Sequence, residues 1–180
     1  MIRALVIFFS VYVALLIQEF LPPLPFVDNA RLCLVPSIFC YGALWLPFPA
    51  MLGLAVYTGL LSDLAFLHVV DDRVEIGLGW SILFYVFAGT ILHVLRSLRT
   101  ELRWEIHCLS SGAVTLLLLL GQYLMVCLRR EAFHLDGTVV WHIAGPSVAA
   151  LLLAPVVFHF LQLWPGGFRT QTPGRARLKK

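Results

Sequence analysis

Residues 106–128 read IHCLSSGAVTLLLLLGQYLMVCL, from Ile106 to Leu128, without one formal charge and with Leu116 to Leu120 in an unbroken row. A helix needs about 20 apolar residues to cross a hydrocarbon layer of roughly 30 Å at 1.5 Å per residue, and this stretch supplies them. Five more such stretches follow the same rule: Ile2–Leu21, Leu32–Phe48, Ala50–Val70, Ile76–Leu95 and Val139–Trp164. Most of the charge lies between them. The pattern predicts an all-α, polytopic membrane protein with six transmembrane helices in one bundle.

Composition agrees. Hydrophobic residues make up 60% of the 180 and charged residues 13%, against roughly 45–50% and 25% in soluble domains. Six spans at about 20 residues each leave only some 60 residues for loops and tails, too few for a separate catalytic domain. The expected organisation is a single six-helix transmembrane domain over residues 1–165 and a basic cytoplasmic tail over 166–180.

The formal net charge of +3 is informative by position. With a cytoplasmic N-terminus, Arg3, Arg96, Arg99, Arg103, Arg169, Arg175, Arg177, Lys179 and Lys180 fall inside. Only Arg31, Arg73, Arg129 and Arg130 fall outside. That bias satisfies the positive-inside rule and places both termini in the cytoplasm. Arg3 and the first apolar run resemble a signal peptide, but Phe20 to Phe26 offers no small-x-small cleavage site, so the run is read as a helix. Proline at positions 22, 23 and 25 ends it, and Leu46-Pro47-Phe48-Pro49 makes an uncharged turn between the second and third spans. Pro146 and Pro155 predict a bend in the sixth.

The sharpest local pattern is Gly53-Leu-Ala-Val-Tyr-Thr-Gly59-Leu-Leu-Ser-Asp63 in the third span. Ala55, Gly59 and Asp63 recur every four residues and so share a helix face. Small residues at that spacing admit a neighbouring helix closely. An aspartate there must meet a partner, take up a proton or line a wet cavity, because a central charge costs about 2.5–3.5 kcal/mol on insertion scales. Its candidate partners are Gln18, Glu19 and Arg31. Gly77 and Ser81 form a second small pair at the start of the fourth span. The expected helix-packing or partner surface is therefore Gln18, Glu19, Gly53, Ala55, Gly59, Asp63, Gly77 and Ser81.

Catalytic and metal chemistry find little foothold. The six histidines never stand three or four apart, and H-E-x-x-H, G-x-S-x-G and Walker A patterns are missing from the sequence. The cysteines Cys33, Cys40, Cys108 and Cys127 make no C-x-x-C pair, so no cofactor, metal site or disulfide framework is expected. Basic residues are few and placed by topology, which argues against nucleic acid.

In this order of features the chain resembles the MreD family of bacterial rod-shape proteins. Leu16-Ile17-Gln18 precedes Pro22 and Pro23, Pro36 opens the second span, and Pro47 and Pro49 make the turn. Gly53, Gly59 and Asp63 match the family's G-x5-G-x3-D pattern, and Gly77 and Gly79 open the next helix. The resemblance implies a non-enzymatic scaffold in the bacterial inner membrane. Its implied partners are an MreC-like single-span protein, MreB, a RodA-type glycosyltransferase and a class B penicillin-binding protein, serving side-wall peptidoglycan synthesis. The implied fold resembles the substrate-binding S-components of energy-coupling-factor transporters. A small-solute-binding or transport subunit of that type is the alternative, in which Asp63 and Glu19 face an outward cavity.

Overall fold

The computed structural model describes residues 2–22, 32–65, 69–70, 73–74, 79–98, 104–130 and 136–163. It is all-helical apart from one minimal hairpin. In chain order the elements are α1 (Ile2–Phe20), α2 (Val35–Trp45), α3 (Phe48–Ala65), β1 (Val69–Val70), β2 (Arg73–Val74), α4 (Trp80–Leu98), α5 (Trp104–Arg130) and α6 (Gly137–Leu163). Four of the helices, α1, α3, α5 and α6, are long and apolar enough to cross a membrane, while α2 and the apolar part of α4, Trp80–Arg96, are shorter.

The chain is a helical membrane protein, and its surface shows why. Leu5, Phe9, Leu83, Phe87, Leu109, Leu152, Val156 and Phe160 are all at least 60% exposed. Water would make so broad an apolar surface an aggregation site, whereas lipid solvates it. The hydroxyls follow the same logic. Ser10, Thr90, Thr115 and Ser147 each donate to the carbonyl four residues back in their own helix, the usual refuge of a hydroxyl on an apolar helix.

The shortest helix is the centre. With 11 residues α2 spans roughly 16 Å, well short of the stretch Leu32–Phe48 read as a span. Pro36 sits in its first turn, and at its end Leu46 adopts an extended conformation (φ −81°, ψ 154°), as a residue before proline must. Every residue from Val35 to Leu44 is buried, and α2 alone touches all five other helices. Phe39 and Tyr85 meet edge to face at 4.7 Å in the core it shares with α4. By contrast α1 rests only on α2 and α3 among the described residues.

The third span also ends earlier than Val70. Its helix stops at Ala65, and Val69 and Val70 pair antiparallel with Val74 and Arg73. β-branched residues flanking Asp71-Asp72 favour a pleated strand over continued helix. Pro146 and Pro155 lie inside α6. The tail over 166–180, the loop carrying Arg99 and Arg103, and Arg31 lie outside the described residues.

Candidate functional site

The sequence pattern of α3 converges on its joint with α4. Ala55 and Gly59 are buried, and α4 crosses directly over Gly59. A Cβ built there would come 2.5 Å from the Ile82 Cα and 2.6 Å from the Ile82 nitrogen. The obstacle is backbone and cannot rotate away, so only glycine lets the first turn of α4 lie this close.

One turn further along, the Asp63 carboxylate accepts two hydrogen bonds from that same turn. The Gly79 N–H donates to Oδ2 at 2.6 Å and the Ser81 N–H to Oδ1 at 3.3 Å. Leu83 N donates to the Gly79 carbonyl, so Gly79 is the N-cap of α4. It has no side chain with which to satisfy the free amides that open every helix. Asp63 supplies from α3 what an N-cap aspartate supplies locally. Its oxygens also face the positive end of the α4 dipole. The cap residue has φ +101°, a backbone conformation in which any Cβ would be strained. Ser81, the other half of the expected small pair, is buried at the contact; Gly77 lies outside the described residues.

Gln18 performs the same service for α2. Its Oε1 accepts from the Leu34 N–H at 3.1 Å, and Leu34 is an N-cap with no side-chain cap of its own. Gln18 is therefore engaged with α2 and not with Asp63. Glu19, on the next position of α1, is exposed while Asp63 is 8% exposed. The two Asp63 oxygens both face the opening turn of α4. Gly53, although part of the same motif, packs under no helix: it is exposed, and its nearest neighbour is the Phe8 ring edge at 3.8 Å.

At the opposite end Arg96 of α4 donates through Nη1 to the Leu46 carbonyl at 3.0 Å. It thereby satisfies the carbonyl beside Pro47 at the C-terminus of α2. In the sequence Arg96 carries only a topological signal, and no residue there announces itself as the partner of Gly79. A signal for the α4 cap was present: no Ser, Thr, Asp or Asn immediately precedes Trp80, so a helix starting there needs its cap from elsewhere.

His107 was one of six scattered histidines in the sequence. The fold buries it in a ring cluster with Tyr41 at 5.9 Å and Phe158 at 5.6 Å. The Ala154 carbonyl lies close to it but outside good hydrogen-bonding geometry. Among the described residues no group of three metal-ligating side chains occurs, and none of the four cysteines is in a disulfide. A cavity of about 710 Å³ runs between α4 and α5, is lined by side chains such as Phe87, Leu92, Ala113 and Leu117, and does not include Asp63.

The site is thus a pair of helix joints built from side-chain caps. The chain matches no protein-family model, no curated protein and no solved structure.

Proposed function

We propose that this chain is a non-enzymatic architectural subunit of the bacterial cell-elongation machinery. In this reading it sits in the inner membrane with both termini cytoplasmic. It holds an MreC-like single-span protein, and through it supports MreB-directed, RodA-type side-wall peptidoglycan synthesis. The observation that carries the reading is the use of Asp63. The acid of the G-x5-G-x3-D pattern is engaged by the backbone of α4, and Gly59 makes that engagement possible. A motif that joins helices is what a scaffold needs, and a solute carrier would use such an acid on its cargo.

Depletion of the protein in its rod-shaped host tests this. Rods should round into spheres, and the tagged chain should co-purify from native membranes with a single-span, coiled-coil protein. Normal rods on depletion, with no such partner recovered, would overturn the proposal. Tight binding of a small polar metabolite by the purified chain would replace it with the solute-binding alternative. A reporter fused to the C-terminus should be active only in its cytoplasmic form.

A further inference from the structure

Helices α4 and α5 run beside a shared groove. Its lining extends on α4 from Phe84 to Leu95 and on α5 from Glu105 to Leu124. Along α5 that is about 28 Å, nearly the whole of a hydrocarbon layer of roughly 30 Å. A volume of about 710 Å³ spread over about 28 Å is a mean cross-section of about 25 Å².

That width decides what fits. A helix with its side chains is about 10–12 Å across, a cross-section of about 80–110 Å². An alkyl chain bounded by carbon contacts at 3.5–4.0 Å is about 4–5 Å across, or about 13–20 Å². The groove takes one extended chain with a little slack, and a helix would lie mostly outside it. Its chemistry points the same way. Helices hold each other in a membrane through small residues that admit backbone, or through interhelical hydrogen bonds. Here bulky side chains such as Phe87, Ile91, Leu117 and Leu124 line the groove and are 42–67% exposed. Gly121 is covered by the Trp80 ring, which a Cβ there would meet at 3.7 Å. Ser110 and Glu105 are the two polar side chains of the lining, and the Ser110 hydroxyl donates to the His107 carbonyl at 3.0 Å.

One end of the groove is acidic. Glu105 is the one ionisable residue of the lining, and its neighbour Trp104 is 51% exposed, as suits the aromatic belt at a membrane surface. Arg96, at the end of α4, is turned to the Leu46 carbonyl beside α2. We infer that the α4–α5 groove holds one acyl chain of a phospholipid whose cationic amine headgroup sits at Glu105. The chain fills the seam that the two helices leave between them, and the acid selects an amine over an anionic headgroup. The inference stands on the groove and is independent of the proposed function.

The full chain in nanodiscs of phosphatidylethanolamine and phosphatidylglycerol in equal parts tests it, after exchange into mild detergent and native mass spectrometry. One lipid per chain should be retained, with ethanolamine preferred about two- to fivefold, the range of an exposed ion pair. Glu105→Gln should abolish the preference and keep the lipid. Ala113→Trp fills the groove and should cut retention at least tenfold, while Val156→Trp on the exposed face of α6 leaves it unchanged. A phosphatidylethanolamine with a photoreactive acyl chain, added to the unaltered protein, should label Phe87, Ile91 and Leu117 in preference to Leu152 and Val156. That readout does not depend on the folding of any variant. No retained lipid, full retention by Ala113→Trp, or uniform labelling of α5 and α6 would overturn the inference. So would equal retention of the two lipids by the unaltered chain. A photo-crosslinking residue at Leu117 that traps a second copy or another protein would place protein in the groove and overturn it as well.

Discussion

The α3–α4 joint and the α4–α5 seam involve the same helix and opposite physics. On one side α4 lies against Gly59 with its first turn held by the Asp63 carboxylate. On the other it faces α5 across an apolar cavity of about 710 Å³, with few direct contacts between the two helices. Both surfaces of α4 are hydrophobic. Lipid tails are as apolar as leucine, so apolar surface alone does not draw helices together in a membrane. What separates the two sides is close backbone approach through a glycine, plus an acid that serves the free amides of a helix end. The seam has Ala88, Ala113 and Gly121 along its lining, and a Cβ at Gly121 would meet the Trp80 ring at 3.7 Å and no backbone.

The largest effect should come from filling the closer side. Gly59→Leu forces a side chain into the Ile82 backbone, and overpacking of this sort costs about 1–3 kcal/mol or more. For a chain of this length each kcal/mol is worth about 2–4 °C. Thermal unfolding in detergent should therefore show a midpoint lowered by about 5–10 °C, with poorer recovery from membranes. An unchanged midpoint would mean that α4 can shift outward freely, and the contrast between its two sides would disappear.

Next comes the fastener itself. Asp63→Ala leaves the Gly79 and Ser81 amides unpartnered at a buried helix end and removes a charge-assisted bond. A loss of about 1.5–3 kcal/mol is expected from the ordinary size of such interactions. Asp63→Asn keeps one oxygen acceptor and should lie between the alanine variant and the native chain. If the asparagine and alanine variants proved equally unstable, charge against the α4 dipole would matter more than hydrogen bonding, and if neither were unstable the cap would be ornamental.

Much of this joint was visible as a pattern and little of it as a partnership. Ala55, Gly59 and Asp63 at four-residue spacing announce a packed face, and the fold buries all three. The sequence could not say what the acid would bind. Its partner Gly79 stands sixteen residues away across a connection containing the β1–β2 hairpin, and backbone amides leave no trace in residue identity. Gly53 shows the converse failure. It reads like Gly59 but faces outward, because in lipid both faces of a helix are apolar and the amphipathic signal that sorts inside from outside fades. The shortness of α2 was legible in principle from Pro36 and Pro47, which bracket it, yet its hydropathy extends beyond its hydrogen bonds. Spans are read from hydropathy, but helix ends are decided by who caps them.

The Gln18 cap is a weaker copy of the Asp63 cap, and this makes it a sharper instrument. It too reaches sixteen residues ahead, to Leu34, but with a neutral amide oxygen accepting a single N–H at 3.1 Å. Gln18→Leu should cost about 1 kcal/mol, the net value of one neutral hydrogen bond. Gln18→Glu should recover that loss, since a carboxylate can accept the same N–H and suits the positive end of α2. Recovery by glutamate at Gln18 and by asparagine only in part at Asp63 would establish that charge, and not shape, ranks the two caps.

At the open seam the expected effect is the smallest. Ala113 lines the cavity and is exposed to it. Ala113→Leu adds nearly the bulk that Gly59→Leu adds, on a helix that also borders α4. There it meets the open space of the cavity, so the midpoint should move by no more than the equivalent of about 0.5 kcal/mol, as for surface substitutions away from special features. A large loss of stability from Ala113→Leu would mean that α4 and α5 close on each other in the bilayer. The difference between the two sides of α4 would then belong to the hydrogen bonds of Asp63 alone and not to proximity.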